Sequence, residues 1–114
     1  MYFYEGEIKM NTNAIYSQLL EETTRFDFPF LATREKKKQI LLEKKSYVEN
    51  TLKNTSPNLF PNPETLEKLW NDSVKHTDSQ FASIPENSRL SGFYLQEITH
   101  YYVESIIKYL TVLN

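Results

Sequence analysis

The strongest pattern of apolar and polar positions lies in the last quarter of the chain. Leu90, Tyr94, Ile98, Tyr101, Ser105, Tyr109 and Leu113 recur every three to four residues, the spacing of one helical face. Phe93, Tyr102, Ile106 and Leu110 widen that face, while Glu97, His100, Glu104, Lys108 and Thr111 leave a narrower wet one. A helix apolar over so much of its circumference needs neighbours on more than one side. The segment is therefore predicted to be the central rod of a bundle, about 36 Å long at roughly 1.5 Å per residue.

Three earlier segments repeat the helical period. Asn11, Thr12 and Asn13 offer N-caps for a first helix whose inner face is Ile15, Tyr16, Leu19, Leu20 and Thr23. It should end near Arg25, because Pro29 turns Phe28 away from helical geometry. Thr33 caps a second helix from Arg34 to about Asn54, with Ile40, Leu41, Tyr47, Val48, Thr51 and Leu52 inward and the stem of Lys44 at the margin. The proline-rich stretch from Asn54 to Pro63 is a firm break. Asn62 followed by Pro63 then starts a shorter third helix with Leu66, Leu69, Trp70, Ser73, Val74 and Thr77 inward. Ser88 or Ser91 could cap the last helix. Residues 1–10 read as a short N-terminal arm whose aromatics cover a gap in the core. The expected fold is thus all-α, a small irregular four-helix bundle with a long central C-terminal helix, in one domain spanning residues 1–114.

Composition narrows the function classes more than it names one. The length of 114 residues suits a single core. With no cysteine there is neither a disulfide frame nor a thiol nucleophile. The opening residues lack the basic start and apolar run of a signal peptide. No stretch reaches the roughly 18–20 apolar residues of a membrane span. These features lead to the expectation of a cytoplasmic protein without a membrane span.

Charge is unevenly distributed. Residues 34–53 carry an excess of four positive charges, while 1–33 and 54–114 are each net negative by three. Arg34, Lys36, Lys37, Lys38 and Lys45 surround the outer half of the second helix, an arrangement that can orient an acidic partner. Aromatic residues on the connectors and the final helix add rigid contact area, which favours them at protein interfaces. Phe28, Phe30, Arg34, Lys37, Lys38, Lys45, Phe60 and Tyr102 are the candidate contact residues.

No chemistry is signalled as clearly. Asp72 and His76 are four residues apart, and Glu97, His100 and Glu104 share a face with a spacing used in helical metal sites. The second Glu-x-x-His of a dinuclear centre is missing, and pairing of Glu104 with His100 or Lys108 on the surface accounts for these residues. Neither histidine is coupled by sequence to a nucleophile. The reading is a non-enzymatic protein-interaction module, an adaptor or inhibitor needing no cofactor and no metal, with a protein partner or a second copy of itself. The alternative is a nucleic-acid-associated regulator using the basic helix for phosphate contact.

Overall fold

The computed structural model of the chain describes residues 14–23, 33–83 and 92–112. Four helical stretches lie among them: α1 (residues 14–23 of it), α2 (Arg34–Thr55), α3 (Pro63–Gln80) and α4 (Gly92–Val112). There is no strand among the described residues. The protein is an all-α bundle. Residues 1–10, Phe28, Phe30, the caps at residues 11–13, the end of the first helix and the caps at Ser88 and Ser91 all lie outside the described residues.

Local chemistry starts α2 and α3 where their sequences suggest. Thr33 is extended and its hydroxyl accepts the Lys36 amide at 3.1 Å. Asn62 does the same for the Thr65 amide at 2.8 Å, with Pro63 in the first helical position where its missing N–H costs nothing. α2 ends when the Ser56 amide bonds to the Leu52 carbonyl, and a turn over residues 57–59 leads to the extended residues before α3.

Packing contacts give the direction of each helix. Leu41, near the start of α2, clusters with Tyr94, Leu95 and Ile98, near the start of α4, and with Val74 and Phe81 from the end of α3. Val48 and Leu52, later in α2, cluster with Tyr102, Val103, Ile106 and Leu110, and with Leu66 and Leu69 from early α3. α2 and α4 therefore run parallel, with α3 opposed to both. Tyr16 of α1 bonds to Ser56 at the end of α2, and Thr23 reaches His100 midway along α4, so α1 is also opposed. The topology is up-down-up-down, which lets connections between neighbours stay short. Trp70 packs against both clusters and joins them into one core.

α4 packs on α2 and α3, most extensively on α3. Small side chains sit along that seam. Ser73, Thr77 and Thr99 are fully or almost fully buried, and each hydroxyl donates to the carbonyl four residues earlier, at 2.7, 2.9 and 3.1 Å. Their polar groups are thereby satisfied inside the helix, leaving short side chains that allow close approach.

The buried stripe of α4 is rotated from the one predicted. Leu95, Ile98, Thr99, Tyr102, Val103, Ile106 and Leu110 are its centre, whereas Tyr101, Ser105 and Tyr109 lie at the α3-facing edge, only half-buried. Phe93, expected on the apolar face, is 64% exposed. Aromatic residues drew the predicted line toward themselves because hydropathy ignores that a ring can stand at a rim. Two assignments on α2 also change. Tyr47, expected inside, is 52% exposed and donates to Glu22 of α1 at 3.2 Å. Lys45, expected outside, lies in the seam described next.

Candidate functional site

The stripe that packs α2 into the bundle begins with cations. Arg34, Lys38, Leu41, Lys45, Val48 and Leu52 follow one another at alternating spacings of four and three, so all six share one side of the helix. From Leu41 onward this side enters the core. Before it, Arg34 and Lys38 are exposed and Lys37, on the adjacent row, is half-exposed. The first turns of α2 thus extend the core-facing side beyond the core itself, carrying three positive side chains there. Lys36 is exposed on the opposite side. No ion pair joins Lys36, Lys37 or Lys38 to a carboxylate among the described residues.

This placement opposes the helix's own field. The amino end of a helix is its positive pole, and exposed cations in the first turn are unfavourable by about 0.3–1 kcal/mol each, an effect that fades at Lys37 and Lys38 in the second turn. Glu35 is the acidic residue of the first turn. Phe93 lies at the same end of the bundle, since α2 and α4 run parallel and their early residues share a cluster. One end of the molecule therefore presents basic side chains and an exposed aromatic ring.

The remaining predicted contact residues go elsewhere. Tyr102 is completely buried. Its hydroxyl donates to Glu49 Oε2 at 2.5 Å, and Trp70 meets its ring edge-on at 5.0 Å between centroids. Burial, then the hydrogen bond and charge of Glu49, push its phenol far above the ordinary tyrosine range. Lys45 donates to the same Glu49 oxygen at 2.9 Å and stands over the rings of Trp70 and Tyr102, 5.3 and 5.9 Å from their centroids. Phe60 is half-buried against the larger cluster. Of these three, expected at a contact surface, Tyr102 is interior and Lys45 and Phe60 are half-buried against the core. An amphipathic side chain at an inward position was the available signal for Lys45, whose spacing from Leu41 and Val48 places it on their side.

Both histidines bridge helices. His76 of α3 stacks on Tyr101 of α4, with ring centroids 3.9 Å apart and planes within 18°. His100 Nε2 meets Glu104 Oε1 at 2.6 Å, the pairing expected from their spacing, and Nδ1 lies 2.9 Å from Thr23 Oγ1. No group of three or more His, Cys, Asp or Glu able to hold a metal occurs among the described residues. No helix among them is long and apolar enough to cross a membrane.

The fold and this surface define a small all-α bundle with one basic end. Comparison with known proteins adds nothing to that class: no family model, curated protein or solved structure matches the chain.

Proposed function

We propose that the protein is a cytoplasmic, helical protein-interaction module, an adaptor or inhibitor that engages an acidic surface of a partner through the first turns of α2. Arg34, Lys37 and Lys38 orient the partner by charge, and Phe93 supplies apolar contact at the same end of the bundle. The observation that carries this reading is the cluster of cations at the positive pole of α2, on the side that would be core one turn later. No ion pair within the described residues accounts for Lys37 or Lys38, whereas an incoming anionic group would be stabilised by these side chains. A protein is favoured over nucleic acid because the basic face is small and the chain as a whole carries a net charge of -2. A polyanion would meet repulsion outside a few phosphate contacts.

Partner recovery from native-cell extract, with and without nuclease, tests the reading. The wild type is expected to retain a saturable protein in both conditions, and Lys37→Glu combined with Lys38→Glu to lose it with helicity intact. Retention that disappears with nuclease would transfer the surface to nucleic acid. Retention unaffected by the charge reversal would remove α2 from the contact. Sedimentation over a concentration series, in the absence of extract, distinguishes a second copy of this chain as the occupant.

A further inference from the structure

We propose that the gap between α2 and α3, beside Leu42, is the seat for an acidic amphipathic helix of a protein partner. The inference rests on the interaction reading above and names the chemistry of the partner. Leu42 is 57% exposed, an apolar side chain left largely in water. Its neighbours fix the side of α2 on which it lies. Lys38 is four residues earlier and Lys45 three residues later, and Lys45 stands over the Trp70 ring of α3, 5.3 Å from its centroid. Leu42 is therefore on the side that faces α3. Tyr47, the other exposed apolar residue of the helix, faces α1, where it donates to Glu22.

α2 and α3 are antiparallel, so the turn before Lys45 meets the turn after Trp70. That turn of α3 holds Val74, which is half-buried, as are Trp70 itself and Phe81 two turns further on. Both helices pack on α4 far more than on each other. The gap between them thus keeps apolar surface in contact with solvent at Leu42, Val74 and Trp70.

Charge and size select the occupant. Arg34 and Lys38 are exposed along the same edge and outweigh Glu35. Asp78 on the facing helix accepts from the Tyr94 hydroxyl, and Glu49 accepts from Lys45 and Tyr102, so both carboxylates are engaged inside the fold. An acidic segment meets attraction here and a basic one repulsion. So few apolar side chains fall short of the roughly 1,200–2,000 Å² that contacts between folded domains bury, which disfavours a second copy of the chain. A single helix laying one apolar stripe along a gap between two others needs less.

Trp70 is the only tryptophan of the chain, so its fluorescence reports occupation of the gap directly. The probe is a synthetic peptide of leucine, glutamate and alanine in which leucine recurs at helical spacing. A peptide of identical composition in scrambled order is the control. The patterned peptide is expected to shift Trp70 emission saturably, and the scrambled one to bind about ten-fold more weakly. Leu42→Gln should weaken the patterned peptide by about ten-fold, the size of one lost leucine contact. Helicity should be unchanged, because the side chain is exposed and both residues favour helix. Lys38→Glu should weaken the same peptide by charge. Equal binding of the two peptides, or binding that ignores Leu42→Gln or Lys38→Glu, overturns the proposal. Sedimentation of the protein alone should show no association that Leu42→Gln removes; such association would give the gap to a second copy and overturn it as well. A wild type that retains a protein from extract through Lys37 and Lys38 yet ignores the peptide removes the gap and leaves the interaction reading standing. Failure of both removes the two together.

Discussion

Glu49 receives two donors from different helices, and its surroundings show what a buried polar group must satisfy. The Tyr102 hydroxyl and the Lys45 ammonium converge on one carboxylate oxygen beneath Trp70. Tyr102→Phe removes one hydrogen bond without opening a cavity, so it should lower stability by about 1–2 kcal/mol, as read from urea denaturation. The same phenol sets an alkaline limit. An unfolded tyrosine ionises near about pH 10, whereas burial and Glu49 keep the Tyr102 phenol protonated well beyond it in the folded protein. Above that pH the unfolded chain holds fewer protons than the folded one. Stability from this source is present below about pH 10 and is lost as pH rises further. The wild type should therefore lose stability more steeply than Tyr102→Phe on going from about pH 9 to about pH 11; parallel slopes would contradict this. None of this cluster was legible as a cluster. The period of α2 places Lys45 inward with Glu49 one turn later, but only the partner helices show that two aromatic rings are there to receive them.

At the scale of the helices, the boundaries that depend on local chemistry were the readable ones. Thr33 and Asn62 cap α2 and α3 because side-chain oxygens three residues before an amide satisfy it without help from the rest of the fold. Replacing either by Ala should cost about 1 kcal/mol, measured as a shift in unfolding free energy. The first turn of α2 yields a less ordinary expectation. Thr33 is followed three residues later by Lys36, where a capping box would have Glu. Lys36→Glu should therefore stabilise the protein by roughly 0.5–1 kcal/mol, through the box and the helix pole together. A loss of stability would show that the amino end of α2 is held by contacts other than its cap. Which face of α4 is central was less readable. Its ten apolar or aromatic candidates cover most of the circumference, and the choice among them was made by Ser73, Thr77 and Thr99, small polar residues that let α3 approach. Hydropathy gives such residues no weight.

In the whole molecule, the alternation of direction follows from short connections between neighbouring helices, and parallel α2 and α4 bring their amino ends together. The helices α2, α3 and α4, of 22, 18 and 21 residues, are long enough for the core to form two clusters in tandem. Trp70 spans them, so Trp70→Ala should cost about 3–5 kcal/mol and broaden or split the unfolding transition. All-α architecture, helix order and the inner faces of α1 and α3 could be read from periodicity, and that of α2 in part. Among the candidate contact residues, Arg34 and Lys38 are exposed and Lys37 half-exposed, whereas Tyr102 is buried and Lys45 and Phe60 are half-buried in the packing, because whether an amphipathic residue meets solvent depends on helices distant in sequence.

The proposed function rests on the basic end, where cations continue the core-facing side of α2 beyond the core, and we propose that they are kept there for a partner. The direct measurement is unfolding free energy and partner affinity on the same preparation of Lys37→Glu with Lys38→Glu. Stability held or raised, with partner binding lost, is the predicted result. Stability lowered by more than about 1 kcal/mol, or binding unchanged, would contradict it.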